Sequence, residues 1–242
     1  MSPPLQPKAA MVFAAGLGLR MRPLTETLPK PLIKVGGKAL IDHCLDRLAE
    51  GGIERAVVNV HYLADQIEAH LKDRRCPQII ISDERGELLD QGGGVKRALR
   101  WLGEAPFLIC NTDAFWLEGP HSNLARLAVD WDFREMDVSL LVAPTVSAVG
   151  LDWPGDFAMS PDGWLHRRRE REVAPYVYSG VGVIKPELFE SRREDVFRLA
   201  PLFFEAAEKR RLRGVRLDGV WIHVGHPDAI AEAERAIDRS IL

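Results

Sequence analysis

The sequence predicts an α/β fold, a doubly wound, mostly parallel (Rossmann-like) sheet with helices on both faces. Three observations predict it. Continuous apolar runs such as AMVFAAG, RAVVNVHY and PFLICNTD have the composition of strands buried on both sides. Amphipathic segments alternate with such runs three times within the first half, which is the pattern of βαβ units. The first run ends in a glycine-rich loop, at the strand end where open α/β sheets bind ligands.

Each element follows in order. Residues 1–8, rich in Pro and polar side chains, predict a short disordered tail. AMVFAAG is the first strand. GLGLRMRPLTETLPKP carries too many prolines and glycines for a regular helix. From Lys38 to Gly51, Leu40, Ile41, Cys44, Leu45 and Leu48 recur at helical spacing, and Gly51-Gly52 stops the helix. RAVVNVHY is a strand, LADQIEAHL a helix and QIIISDE a third strand. GGGVKRALRWLG reads as a glycine turn feeding a helix, and PFLICNTD as a fourth strand ending in an acid. In the second half DVSLLVAPT is a strand, and DFAMSPDGWLHRR is a hairpin around Pro161-Asp162-Gly163. YVYSGVGVIKPELF is a strand running into a turn. VFRLAPLFFEAAEKRRL is helical, with Pro201 a kink or a first helical residue. GVRLDGVWIHVG is a final strand pair, and HPDAIAEAERAIDRSIL a terminal helix. No linker or repeat interrupts the pattern, so residues 1–242 are expected to form one domain.

The bulk numbers narrow the function. The chain has 242 residues, 46% of them hydrophobic, which is enough for a sizeable core. The net charge of -3 provides no basic field for nucleic acid. Met11 to Ala15 is too short an apolar run to span a membrane, and the polar start does not fit a signal peptide, so a cytoplasmic location is expected. Cys44, Cys76 and Cys110 have no metal-site spacing and read as three reduced, partly buried thiols.

The loop after the first strand is where chemistry is expected. Ala14, Ala15, Gly16 and Gly18 can bring backbone N–H groups close to a phosphate. The third glycine and immediate helix of a dinucleotide fold are missing, as is the G-K-[ST] of a Walker loop. Instead the cations Arg20 and Lys30 follow, and the prolines around Lys30 stiffen its approach. Nucleotidyl transfer needs positioning and positive charge near the α-phosphate and the departing pyrophosphate, which a forked guanidinium and a point-charge ammonium supply. Taken one at a time, these charges also fit a solvated loop.

As a set, AAGLGLRMRPLTETLPKPLIKVGGKALIDH resembles the N-terminal signature of the sugar-phosphate nucleotidyltransferases: an apolar strand, G-x-G-x-R, P-L-T and P-K-P, in order and without a gap. The resemblance continues more weakly through GGGVKRAL, NTD, GDF, YSGVGVIKPELF and WIHVGHP. It implies the nucleotide-diphospho-sugar transferase fold and the joining of an NTP to a sugar 1-phosphate with release of pyrophosphate. It also implies Mg²⁺ as cofactor, held by Asp113 at the end of the fourth strand. Arg20 and Lys30 would be the catalytic cations. Ala14, Ala15, Gly16, Gly18, Gly92 and Gly93 would lie along the nucleotide, and Asn111, Asp156, Tyr178 and Gly180 around the sugar phosphate. Tyr178 could equally be a core aromatic.

Two departures stand out. The family's W-x-D-x-G-T is here Trp221-Ile222-His223-Val224-Gly225-His226, so His223 stands where the family has a metal-binding aspartate: either it ligates the metal as a softer donor, or Asp113 works with water and phosphates alone, which is the favoured expectation, or activity is lost. Where many relatives have Glu-Lys-Pro, the chain carries His166-Arg167-Arg168-Arg169-Glu170-Arg171, either a phosphate site or a solvated hairpin edge. Within the family, the short chains that use UTP and N-acetylmuramate 1-phosphate in cell-wall recycling look most similar. Mannose or heptose 1-phosphate guanylyltransferases, using GTP, are the alternative, and the choice of base is expected to rest on contacts around Glu84 to Gly94. A sugar-nucleotide sensor that kept the fold would explain His223. A choline-phosphate cytidylyltransferase would need Trp116, Trp153, Trp164 and Tyr178 as an aromatic cage. The oligomeric state is not encoded in any of these features.

Overall fold

The computed structural model describes residues 5–240. Strand β1 (Ala9–Phe13) is followed by three 3₁₀ turns, Leu19–Met21, Leu24–Glu26 and Lys30–Leu32. A two-stranded ribbon, β2 (Lys34–Val35) and β3 (Lys38–Ala39), leads into α1 (Leu40–Glu50). Then come β4 (Arg55–Val60), α2 (Ala64–Leu71), β5 (Gln78–Asp83), α3 (Asp90–Leu102) and β6 (Phe107–Asn111). The second half holds β7 (Ala114–Glu118), α4 (Asn123–Asp130), β8 (Val138–Pro144), β9 (Phe157–Met159), β10 (Leu165–Arg167) and β11 (Tyr176–Ile184). It ends with the single turn α5 (Glu187–Glu190), α6 (Ala200–Glu208), β12 (Leu212–Arg216), β13 (Gly219–His223) and α7 (Asp228–Ser240).

The central sheet has nine strands, in the order β10-β9-β11-β6-β1-β4-β5, with β8 beside β11 and β12 beside β8. Strands β6, β1, β4 and β5 are mutually parallel, and β8 and β12 form a second parallel pair. Strand β11 runs antiparallel to β6, β8 and β9. Sequential strands leave β1 on one side through β4 and return on its other side as β6. The chain therefore reverses its winding direction between β1 and β6, which opens a crevice at their carboxyl ends.

The apolar runs behave as their composition demands: every residue of β1 is buried, as are Ala56–Val60 of β4. Side chains alternate between two core clusters, one containing Ala10, Val12, Val58 and Cys110, the other Met11, Phe13, Val57 and Ile109. Helix α1 buries Leu40, Ile41, Cys44, Leu45 and Leu48, the five residues its periodicity selects. A bidentate ion pair fastens the sheet's far end, where Asp137 accepts from Arg211 Nε at 2.6 Å and Nη2 at 2.9 Å, and from Lys185 Nζ at 3.2 Å.

Several local readings change. Residues 5–8 do not belong to a tail: Leu5 is buried and its N–H donates to Ala128 O, while Lys8 O accepts from Glu54 and Arg55. Residues 1–4 lie outside the described residues. GVRLDGVWIHVG is not a hairpin, because β12 joins the main sheet whereas β13 pairs with β7, a strand hidden in AFWLE. Gly92–Gly94 lie inside α3 rather than in a turn before it. Pro201 sits in the first turn of α6, where its missing N–H costs nothing. Cys44 and Cys110, on α1 and β6, face each other in the core at 2.6 Å between sulfurs, and Cys76 is exposed. Among the described residues no helix is long and apolar enough to cross a membrane.

Candidate active site

The crevice at the reversal point holds a cavity of about 370 Å³. Phe13, Ala14, Ala15 and Gly16 bring the end of β1 to it, and Asn111, Thr112 and Asp113 bring the end of β6. Thr112 Oγ1 donates to Phe13 O at 2.7 Å and so clamps these two ends together. A second compartment of about 260 Å³ adjoins the first, lined by Arg20, Met21 and Gly225. Gly16, Gly18, Lys30 and Asp113 belong to the walls of both.

The loop owes its path to Gly18. Its φ of 63° lies in the left-handed region, and a Cβ there would come within 3.2 Å of Lys30 Cβ. Thr25 Oγ1 donates to Gly18 O at 2.8 Å and closes the turn. A Cβ on Gly16 would meet nothing within 4 Å, so its backbone faces open space. Lys30 is then delivered to Asp113, Nζ to Oδ2 at 2.9 Å, with its side chain 13% exposed. Arg20 is mostly solvated, and its nearest carboxylate is Asp152 at 4.0 Å.

Asp113 is the electrostatic centre. Burial works to raise its carboxyl, but the imidazole of His223 and the ammonium of Lys30 outweigh burial and hold it well below the usual range. His223 reaches it through the β13–β7 ribbon, where His223 pairs with Ala114 and Val224 N donates to Asp113 O at 2.8 Å. The ring stacks on Trp221, meets Trp153 edge-on, and places Nδ1 3.2 Å from Gly150 O. That leaves Nε2 directed at Asp113 Oδ2, 3.8 Å away. Gly225 is glycine because a Cβ would strike His223 Cε1 at 2.3 Å.

The other predicted residues divide. Asn111 lines the cavity and accepts from Gln91 Nε2 at 3.1 Å. Gly180, φ 90°, sits in a bulge of β11 where a Cβ would lie 2.9 Å from Asn111 Cβ, so it supports Asn111 from behind. Ala14 and Ala15 line the cavity, but the Ala14 N–H is already taken by Asn59 Oδ1 at 2.8 Å and is not free for a phosphate. Gly92 and Gly93 are not on the cavity wall. Cβ atoms there would hit Phe197 at 2.4 Å and Asp195 O at 2.0 Å, so these glycines admit a neighbouring segment of chain rather than a base. Asp156 is also off the wall: its carboxylate accepts from Trp153 Nε1 at 3.1 Å and Tyr178 N at 2.9 Å, and burial pushes it up. Tyr178 packs on Phe203, its hydroxyl buried without a partner among the described residues.

The basic cluster is largely occupied. Arg168 donates to Gly155 O and Glu172 O, and Arg167 stacks on Phe204. The aromatic cage does not assemble, because Trp116 and Trp164 belong to one core cluster and Tyr178 packs against the other.

The stretch Glu84 to Gly94 supplies Glu84, Leu88, Asp90 and Gln91 to the wall, and Asn59 and Val196, which the sequence left unassigned, complete it. Glu84 is fully buried, accepts from Asn59 Nδ2 at 2.9 Å, and burial raises its carboxyl. Through Asn59 it anchors the Ala14 amide. A lone Asn inside the apolar run RAVVNVHY was the available signal. Leu88, Asp90, Gln91 and Val196 line the remaining side.

The profile of the MobA-like NTP transferase domain matches residues 10–145. The chain belongs to this family. The transferase is 47% identical over 232 residues to N-acetylmuramate alpha-1-phosphate uridylyltransferase of Caulobacter vibrioides, covering 94% of this chain and 96% of the relative. It is 34% identical to the protein of the same name from Neisseria meningitidis serogroup B, covering 93% and 96%. Mannose-1-phosphate guanyltransferase of Saccharomyces cerevisiae is 26% identical, with 90% of this chain matching 61% of that one. Among solved structures, HddC from Yersinia pseudotuberculosis superposes with a TM-score of 0.73 at 20% identity, over 95% of this chain and 99% of that one. UDP-glucose pyrophosphorylase complexed with UDP-glucose also gives 0.73, at 17% identity, over 96% and 99%. These two likenesses establish the transferase fold.

Proposed function

We propose that the chain is a uridylyltransferase that joins UTP to N-acetylmuramate 1-phosphate and releases pyrophosphate. The observation that carries the reading is the Lys30–Asp113 pair on the wall shared by two compartments, one cation and one anion where two phosphate-bearing substrates would meet. The choice of substrates rests on the two uridylyltransferase relatives, which match nearly end to end. The same substrates suggest a cytoplasmic role in cell-wall recycling.

An oxygen of the sugar 1-phosphate attacks the α-phosphorus of UTP as the bond to the bridging β-oxygen breaks, and pyrophosphate leaves with that electron pair. The attacking phosphate is already ionised at neutral pH, so no protein base is required. Lys30 neutralises charge building at the α-phosphate, and solvated Arg20 is free to swing onto the β- and γ-phosphates. The Gly16–Gly18 backbone lets the phosphates approach without a side chain intervening.

The donor set suits Mg²⁺. Among the described residues no group of three or more His, Cys, Asp or Glu converges, so the protein offers at most Asp113 and His223. A small hard cation that keeps its waters and takes phosphate oxygens needs no more, and Asp113 Oδ1 has no protein partner among the described residues. Asp113 would hold the ion with His223 Nε2 beside it, and the bound ion would supply further neutralisation of phosphate charge.

The test is pyrophosphate release with Mg²⁺ over a matrix of five NTPs and several sugar 1-phosphates. The expected signal is confined to UTP with N-acetylmuramate 1-phosphate. A preference for GTP with mannose 1-phosphate would overturn the assignment.

A further inference from the structure

The cavity is electrically lopsided. Lys30 and Asp113 mark one end, next to the compartment that holds Arg20. At another margin stand two apolar side chains, Leu88 at 36% exposure and Val196 at 47%. A nucleoside triphosphate is polarised in a matching way, with an anionic chain at one end and at the other a flat base whose ring faces suit apolar side chains and whose polar edge suits groups such as Asp90 and Gln91. With the phosphates at the cations, the base falls between Leu88 and Val196.

Val196 comes from the second half of the chain, more than a hundred residues from the glycine loop. Residues 193–198 form a strap laid over the start of α3. Phe197 N donates to Leu89 O at 3.3 Å, and Phe197 O accepts from Gly92 N at 2.9 Å. Lys96 holds the strap from beneath: its ammonium reaches Glu194 O at 3.0 Å and Asp195 Oδ1 at 2.9 Å. Gly92 and Gly93 permit the close approach, since a Cβ on either would collide with Phe197 or Asp195. Leu89 and Phe197 are joined by this pairing, and the residue before each, Leu88 and Val196, lines the cavity. The strap is thus fastened at several points, and its Val196, 47% exposed, lines the cavity.

We propose that the strap 193–198 completes the nucleobase subsite, with Val196 and Leu88 gripping the base, and that Val196 is a specificity-determining contact for the NTP. The inference rests on the nucleotidyltransferase reading. It adds a segment of the second half of the chain to a base end that the sequence places around Glu84 to Gly94. Lys96 is a positioning residue, since it acts on the base only through the strap.

Val196→Ala, Leu88→Ala and Lys96→Ala are compared with wild type in both directions of the reaction. Trimming a half-exposed valine to alanine removes roughly two methyl-sized contacts from the base, so KM for the NTP is expected to rise about five-fold with kcat unchanged. KM for pyrophosphate in the reverse reaction should stay at the wild-type value, because pyrophosphate has no base. Lys96→Ala should reproduce the Val196→Ala pattern without removing any atom from the cavity wall. Val196→Trp should block the NTP and the NDP-sugar alike, since both carry the base, and so abolish turnover in both directions in a folded protein. The proposal is overturned if KM for the NTP is unchanged in Val196→Ala, or if KM for pyrophosphate rises equally in a folded variant. Wild-type protein that neither binds nor turns over any NTP would overturn the enzyme reading itself, and this outcome is recognisable before any variant is made.

Discussion

Lys30→Ala removes the ammonium that both compartments share. In the structure that ammonium lies 2.9 Å from a carboxylate oxygen, which sets its working distance to an oxyanion. At that distance, with an effective dielectric of about 20, a unit charge pair is worth about 6 kcal/mol. Roughly half a unit of new charge appears on the transferring phosphoryl oxygens and pyrophosphate in the transition state, so the differential stabilisation is about 3 kcal/mol. That corresponds to a loss in kcat of about a hundred-fold or somewhat more. The assay is steady-state pyrophosphate release at saturating NTP and sugar phosphate, beside a thermal melt that checks folding. The KM for NTP should change much less than kcat, because the interaction strengthens as charge develops. Turnover within about three-fold of wild type in a folded variant would refute the argument and move Lys30 from the reacting centre to a structural ion pair.

Three further outcomes are expected. Gly93→Ala places a Cβ 2.0 Å from Asp195 O, so it should cost about 1–3 kcal/mol by overpacking despite alanine's better helix propensity; a higher melting temperature would contradict that contact. Burial works to raise Asp137, but the Arg211 fork and Lys185 overcome it and depress its carboxyl, so its contribution is present above the unfolded value and lost as pH falls through the folded one. Asp137→Asn should therefore destabilise the protein by about 2 kcal/mol in urea unfolding at neutral pH, with the gap to wild type shrinking near pH 3; a gap that does not change with pH would refute the linkage. Tyr178→Phe removes a buried hydroxyl that has no partner among the described residues, so stability should hold or rise by up to about 1 kcal/mol with KM for the sugar phosphate unchanged; a ten-fold rise in that KM would put the hydroxyl on the substrate.

The parts of this fold that sequence makes visible are those whose physics is local. Strands β1, β4 and β6 are buried on both faces and so are written as unbroken apolar runs, and α1 shows its buried stripe residue by residue. The glycines, Arg20 and Lys30 stood out because they lie close together in the chain, whereas Asp113 stood out through the resemblance to a known family, and the fold brings it to 2.9 Å from Lys30. What stayed hidden depends on distant partners. AFWLE gives no hint that it pairs with GVWIH, and the three glycines of α3 look like a phosphate turn until Phe197 and Asp195 are seen to fill the space beside them. Asp156 and Tyr178 matched family positions around a sugar, yet their hydrogen bonds and packing tie up the loop and the core.

The β7–β13 ribbon has a consequence for the order in which the molecule comes into being. It joins Ala114 to His223, in strands separated by a loop of about a hundred residues, and it brings His223 to Asp113. Closing so long a loop comes late on entropic grounds, after the local βαβ units have formed. A growing polypeptide would carry its glycine loop, Lys30 and Asp113 long before the last strand is synthesised. Until then the phosphate compartment would lack the wall that carries Gly225. The nascent chain should therefore be able to assemble most of its scaffold, while the finished reaction chamber must wait until β13, about a hundred residues after β7, has left the ribosome.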